Sequence, residues 1–218
     1  MALSKLTYNS LNVTAAASKA VGFDSGADDL STLGGGSMIF IKKLTASSDS
    51  DLSFVDGASS VVFDNTYKEY LFTFKDIHPS GDADYLSVNF SIDAGSNYNV
   101  TKTSTAFRAY HTEDDSAASV DYLTAYDLAQ GTGKQYLTGS LGNDNDQCAS
   151  GYLHLFNPSS TTFVKHYIYR GDQSFNANGN IDFFVAGYGN TTSAIDAVQF
   201  SMSSGTIDAG DICLYGIN

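Results

Sequence analysis

The stretch that decides the fold runs from residue 67 to residue 77 and reads YKEYLFTFKDI. Its large residues Tyr70, Phe72 and Phe74 are two positions apart, so in an extended chain their side chains point to the same side. The residues between them point to the opposite side and are smaller or more polar. This alternation predicts a β-strand with one face buried in a core.

Similar short apolar runs recur along the rest of the chain, and turns rich in Gly, Asp, Ser and Pro separate them. Residues 151–156 and 161–170 predict a hairpin, with Pro158 in its turn. Residues 61–63 predict a short strand, and residues 121–129 predict either a helix or a long loop. Eight to ten such strands predict an all-β chain, folded as a jelly-roll-like sandwich of antiparallel sheets.

The other predicted strands lie on both sides of this hairpin. They are residues 38–44, 52–55, 85–92, 105–111, 135–138, 181–188, 194–202 and 211–217. In residues 85–92 the apolar positions Leu86, Val88, Phe90 and Ile92 alternate with smaller or polar residues, which predicts that all four lie on one face of a strand.

The first 36 residues differ from the remainder in composition. They are small and polar, have no sustained hydrophobic period, and end in Gly34-Gly35-Gly36. We interpret residues 1–36 as an extended N-terminal docking arm and residues 37–218 as the β-sandwich domain. Since ordering a backbone costs about 1–2 kcal/mol per residue, such an arm needs burial against a partner to become ordered.

The composition excludes some classes of partner. The chain has 218 residues, with 24 Asp and Glu against 11 Lys and Arg, which gives a net charge of −13. An acidic chain with two arginines is unsuited to neutralising phosphates, so no nucleic-acid partner is expected. No secretory signal and no apolar run long enough to span a bilayer stand out, so no membrane insertion is expected. In a reducing cytoplasm Cys148 and Cys213 are expected to be unbonded.

No residue is assigned a catalytic, cofactor-binding or metal-binding role. The sequence lacks a Gly-x-Ser-x-Gly elbow, and its glycines lack the spacing of phosphate-binding loops. Acidic clusters at Asp24–Asp29, Asp82 and Asp144–Asp146 contain oxygen ligands that calcium uses, but none completes a calcium-binding loop. Asp and Asn also form turns through their own backbone, which is the favoured interpretation of these clusters.

Two groups of ring-bearing side chains leave alternatives open. His154 and His166 lie on the two arms of the predicted hairpin and could approach as metal ligands, whereas four half-exposed strand histidines, including His78 and His111, are the favoured interpretation. The tyrosines either stack on sugars or cover sheet faces and subunit contacts, and the second role is the more common in β proteins. They are Tyr67, Tyr70, Tyr85, Tyr98, Tyr110, Tyr152, Tyr167, Tyr169 and Tyr188.

Several strings combine turn residues with strand aromatics in a recognisable way. They are Asn65-Thr66-Tyr67-Lys68-Glu69-Tyr70, Ile77-His78-Pro79, residues 95–101 (GSNYNVT), residues 153–158 (LHLFNP), residues 187–194 (GYGNTTSA) and the ending Leu214-Tyr215-Gly216-Ile217. Together they resemble a family of virion structural proteins of marine tailed bacteriophages, including phages of cyanobacteria. The similarity covers residues 39–218.

The resemblance implies a non-enzymatic structural component of a tailed-phage virion, assembled in the host cytoplasm. Its partners would be other virion proteins, further copies of the chain in a homotrimer, and a host surface glycan. The expected place is a tail fibre, tail tip or baseplate appendage, with a capsid decoration or cement protein as the alternative. A carbohydrate-binding module or glycan hydrolase is the second alternative, weakened because the chain has no tryptophan and few Glu for a carboxylate pair.

Overall fold

The computed structural model describes residues 21–23, 30–32 and 37–218, and it is built of β-strands. In chain order they are β1 (Val21–Phe23), β2 (Leu30–Thr32), β3 (Met38–Thr45), β4 (Asp51–Val55), β5 (Glu69–Pro79), β6 (Leu86–Ser91), β7 (Lys102–Thr112), β8 (Ala118–Tyr122), β9 (Gln135–Tyr136), β10 (Ala149–Phe156), β11 (Lys165–Phe175), β12 (Gly179–Gly189), β13 (Ala197–Met202) and β14 (Ile207–Ile217). Within these ranges no helix forms, so none is present that could cross a membrane.

The chain divides into two compact units, Met1–Ile39 and Phe40–Asn218. In the first unit, β1 and β2 pair antiparallel, with Val21 opposite Thr32. The rest of the predicted docking arm lies outside the described residues, so its role stays a prediction.

The second unit contains two antiparallel sheets that form a sandwich, which confirms the predicted fold class. One sheet has eight strands in the order β3-β14-β5-β10-β11-β12-β7-β8. The other has four strands in the order β4-β13-β6-β9. The predicted hairpin is confirmed, since β10 and β11 pair antiparallel with Leu155 opposite Tyr167.

The core lies between the two sheets and is rich in aromatic rings. Tyr70, Phe72 and Phe74 are all buried, as the alternation of the deciding stretch predicted. From the four-stranded sheet, Phe200 packs edge-on against Phe72 and Phe74 at centroid distances of 5.2 and 5.1 Å. Edge-to-face contacts of this kind add to the free energy gained by burying the rings.

Some predicted elements differ from the observed ones. Residues 61–63 are not a strand, although Val61 and Phe63 are buried, because Asp56 accepts the Phe63 amide within a turn. Residues 123–129 form turns and a loop, the second of the two predicted alternatives, and residues 121–122 end β8. Ile92 was predicted to share one face with Leu86, Val88 and Phe90, but it is exposed just past the end of β6 whereas those three are buried. β5 runs through Pro79, where the pairing with β14 is irregular and a missing amide hydrogen is tolerated.

Loops cover β6 on the second side of the four-stranded sheet. Every residue of β6 is buried, including the polar Asn89. The Asn89 side-chain amide donates to the carbonyls of Tyr98 and Thr132 at 2.5 and 3.3 Å, so the chain before β7 and before β9 lies over this strand. The eight-stranded sheet therefore carries the broad sheet face that remains open to solvent.

Candidate functional site: the outer face of the eight-stranded sheet

The outer face is defined here as the side of the eight-stranded sheet that points away from the core. Strand β11 shows how the sequence separates the two sides: Tyr167 and Tyr169 are buried, whereas Ile168 and Arg170, which alternate with them, are exposed. A side-chain period of two in a strand with one buried face produces this separation. The same alternation in the neighbouring strands makes the outer face continuous.

A row of large side chains crosses the outer face over five strands. The register places Tyr152 opposite Arg170, Arg170 opposite Phe184, Phe184 opposite Phe107 and Phe107 opposite Tyr122. The rings of Phe184 and Phe107 stack with centroids 4.6 Å apart and planes 5° apart. The Arg170 guanidinium lies 4.9 Å from the centroid of the Phe184 ring. We call these five residues the aromatic row.

Arg170 is held in place by a carboxylate one row away. Its Nη2 donates to Oδ2 of Asp182 at 2.8 Å, and its Nε donates to Oδ1 at 3.2 Å. The hydrogen bonds to Asp182 are the main reason that the pKa of Arg170 is raised above its ordinary value. This bidentate ion pair fixes the plane of the guanidinium. A fixed planar guanidinium is suited to stacking against an aromatic ring.

Three shallow cavities lie along the outer face. One, of about 390 Å³, is lined by Tyr152, Arg170, Asp172 and Asp182. A second, of about 530 Å³, lies beside it against Leu71, Thr73, Tyr152 and His154. A third, of about 420 Å³, is bordered by side chains that include Thr105, His166, Ile168 and Tyr188. Their position on an open sheet favours contact with an extended surface rather than enclosure of a small molecule.

The histidines predicted as alternatives for metal binding do not form a site. The register places His154 beside Ile168 and Leu71, and its ring packs edge-on against Phe156 at 5.3 Å. The His166 ring packs against Tyr188 at 5.9 Å. Across residues 37–218 and the two short strands before them, no cluster of three metal-ligating side chains is found.

The acidic clusters have local roles where the structure describes them. The Asp144 carbonyl accepts the Gln147 amide at 2.9 Å, and the Asp144 amide donates to the Gln147 side chain at 3.3 Å, so this segment is a turn. Asp82 accepts the amide of the next residue, Ala83, at 2.9 Å. The cluster at residues 24–29 lies outside the described residues.

Five of the tyrosines divide between the core and the outer face. Tyr70, Tyr167 and Tyr169 are core residues, and burial raises the pKa of each. Tyr152 and Tyr188 are on the outer face. The alternation of side chains along each strand is the sequence signal that could have distinguished the core tyrosines from those on the outer face.

Sequence reasoning missed buried polar groups in the sandwich. The Lys102 side chain is buried, and its ammonium donates to the Asn89 side-chain oxygen at 2.5 Å and to the Val100 carbonyl at 2.8 Å. Asp84 is buried as well, and its Oδ1 accepts the amides of Tyr85 and Ser204. Both residues sit in polar stretches of sequence, so no periodic pattern marked them as buried.

Comparison with protein-family models, with curated proteins and with solved structures finds no match to this chain.

Proposed function

We propose that the chain is a non-enzymatic structural component of a tailed-phage virion, in a tail fibre, tail tip or baseplate appendage. The observation that carries the proposal is the outer face of the eight-stranded sheet, a broad, open surface crossed by the aromatic row. Contiguous exposed apolar surface of this kind is typical of protein contact sites. A subunit built into a particle needs such a surface for its neighbours.

The placement of the strings that resemble virion proteins supports the same proposal. Three of them contact one another: the Asn157 amide donates to the Lys68 carbonyl at 2.6 Å, and the ring of Tyr67 lies against Gly216, at the place where a Cβ would be. Residues 65–70, 153–158 and 214–217 are therefore neighbours in the fold.

The polar chemistry of the outer face favours binding over catalysis. The Asp182 carboxylate accepts two hydrogen bonds from Arg170, and Asp211 accepts hydrogen bonds from Lys43 and Thr45. These carboxylates are therefore committed to neighbours rather than poised as acid and base across a cleft.

The test is the location of the chain in infected cells. Phage particles purified by density gradient from the lysate should contain the chain, as detected by quantitative mass spectrometry. A few copies per particle indicate a tail component, and hundreds indicate the alternative, a capsid decoration protein. A chain that remains in the particle-free fraction contradicts the proposal.

A second candidate function is carbohydrate binding, favoured by the position of Tyr152 beside the Arg170–Asp182 pair. An exposed ring can stack on a sugar, while the paired charges supply hydrogen-bond donors and acceptors for hydroxyl groups. A glycan array on which binding depends on Tyr152 would support this function.

A further inference from the structure

We propose that the outer face of the eight-stranded sheet is the surface that another copy of this chain covers. The inference deepens the proposed function and rests on it, since a virion subunit assembles with identical neighbours. It names the surface at which they meet. Three independent properties of the outer face carry it: its exposed apolar side chains, its charge and its size.

The exposed apolar side chains are concentrated on the outer face. Of the nine large hydrophobic side chains that are exposed in the described part of the chain, six belong to it. The six are Phe40, Phe107, Val120, Tyr122, Tyr152 and Ile168. The other three are Met38, Ile92 and Phe163, so burying the outer face removes most of the unfavourable exposure of large apolar side chains in the described residues.

The outer face carries basic as well as acidic side chains. Residues 37–218 contain 21 acidic and 9 basic side chains, a strong excess of negative charge. The regularly paired part of the outer face carries three bases and four acids, and two further exposed acids lie at its irregular β5–β14 end. The bases are Lys43, Lys75 and Arg170, and the acids are Glu69, Asp172, Asp182 and Asp211, followed by Asp76 and Asp208.

Two of these bases are already paired with acids on the same face. Arg170 pairs with Asp182 at 2.8 Å, and Lys43 pairs with Asp211 at 3.3 Å. Two copies of an acidic protein repel each other through most of their surfaces. Bringing like charges together costs on the order of several kcal/mol. These two ion pairs reduce the repulsion that a second copy meets at this face.

The size of the outer face matches what a stable contact needs. Eight strands about 4.8 Å apart span about 34 Å, and four rows of side chains about 6.7 Å apart span about 20 Å. The resulting roughly 700 Å² is close to the roughly 800 Å² per partner of a standard interface. One copy of the chain therefore offers enough surface to hold another without help from a second protein.

The test measures the oligomeric state of the full-length chain by sedimentation velocity and native mass spectrometry. Ile168→Asp places a charge in the middle of the outer face, where the native side chain is 48% exposed. Ile92→Asp is the matched control, because Ile92 is 42% exposed and follows β6 of the other sheet. Circular dichroism and thermal unfolding establish that both variants remain folded.

We expect the wild-type chain and Ile92→Asp to form the same oligomer, with a mass of three times 23.2 kDa for the trimer that the resemblance implies. Ile168→Asp should raise the dissociation constant at least 100-fold and yield a folded monomer. A wild-type chain that stays monomeric even when its concentration in the sedimentation experiment is raised about 100-fold overturns the inference. So does an oligomer that Ile168→Asp leaves intact, because identical copies would then meet elsewhere.

These results are separable from a failure of the proposed function. A monomeric chain that is still found in purified particles contradicts only the self-contact and assigns the outer face to a different virion protein. A monomer that binds a glycan array through Tyr152 also overturns the inference, and assigns the face to sugar binding. A chain that is absent from particles yet trimerises through Ile168 retains the self-contact and contradicts the virion role.

Discussion

The ring of Phe107 on β7 lies flat against the ring of Phe184 on β12, with centroids 4.6 Å apart and planes 5° apart. The two residues are direct partners in the register of these strands. Phe107 is nevertheless exposed, so the pair stabilises the sheet while it presents an aromatic surface to solvent. One contact thus serves both the fold and the face at which we place its partners.

A double-mutant cycle on Phe107 and Phe184 should show that their rings are energetically coupled. We expect the Phe107→Ala and Phe184→Ala variants to lose stability non-additively, with a coupling free energy on the order of 0.5–1 kcal/mol, as for cross-strand aromatic pairs. Urea unfolding of the four proteins measures it. The control is a second double-mutant cycle, on Phe107 and Ile92. Because Ile92 lies off the outer face, this cycle should give no coupling free energy. Additive losses in the first cycle would contradict the role given to the stack.

Replacing Gly187 with Ala should destabilise the sandwich. A Cβ at this position would lie 2.7 Å from the Thr103 carbonyl oxygen and 2.8 Å from the Ser104 Cβ, on the neighbouring strand β7. Since strand backbone cannot move without breaking its pairing, we expect a loss of about 1–3 kcal/mol. Thermal unfolding measures it. Gly133→Ala is the control, because a Cβ there meets nothing within 4 Å; equal melting temperatures for both variants would contradict the steric argument.

The stability of the protein should rise as the pH increases from 8 towards 10 because of Lys102. Burial lowers the pKa of Lys102 to about 8 from its ordinary 10.5, and its hydrogen-bond acceptors, from Asn89 and Val100, are neutral. At a pH between these two pKa values, Lys102 is protonated in the unfolded chain and deprotonated in the folded one, so the unfolded chain binds more protons. Raising the pH therefore favours folding, by up to about 1.4 kcal/mol per pH unit.

Above pH 10 the buried tyrosines act in the opposite direction. Burial raises the pKa of Tyr167 and Tyr169, so they stay protonated in the folded protein while the unfolded chain ionises. The window for the lysine is thus pH 8 to 10. Urea unfolding across it should show a free energy that rises more steeply in the wild type than in Lys102→Met, in which Lys165, with its lowered pKa, and Cys148, with its raised pKa, still titrate. Lys75→Met, at an exposed lysine, should retain the wild-type slope; equal slopes in the wild type and Lys102→Met would contradict the assignment.

The two cysteines are unbonded, as predicted, and Cys148 should react more slowly than a free thiol. Burial raises the pKa of Cys148 above its ordinary value, and the negative charges of Asp76 and Asp172 raise it further. Since the thiolate is the reactive form, native Cys148 should react more slowly with iodoacetamide at pH 8.5 than the same residue in urea. Peptide mapping of Cys213→Ser measures both rates. Equal rates would show that Cys148 is more accessible than its surroundings indicate.

The outline of the fold could be read from alternation, whereas the site depended on register. Tyr70, Phe72 and Phe74 could be assigned to the core because the alternation of side chains along one strand is visible without knowing which strands lie beside it. The aromatic row joins residues 152, 170, 184, 107 and 122, and only the pairing of five strands brings them together. No local pattern encodes that order, because strand neighbours are set by long-range packing.

The buried polar groups were unpredictable for a related reason. Lys102 follows a run of polar residues that indicates a loop, yet its ammonium is satisfied by acceptors at Asn89 and Val100. The first of these partners is thirteen positions away, so composition alone does not reveal the contact. A buried lysine depends on such acceptors being in place, and these are known only once the chain has folded.

A chain that begins at Ser37 should fold with the melting temperature of the full-length protein. The described core residues lie between Ala46 and Leu214, and both sheets of the sandwich are built from strands that begin at Met38 or later. Residues 1–36 therefore contribute no known part of that core, in keeping with the docking role proposed for them. Differential scanning calorimetry compares the two chains, and gradient-purified particles then show which of them is incorporated. We expect equal unfolding with loss of incorporation. A drop of more than a few degrees in the shortened chain would mean that the first 36 residues belong to the sandwich, because removing buried contacts worth about 1 kcal/mol lowers the melting temperature of a domain this size by about 2–4 °C.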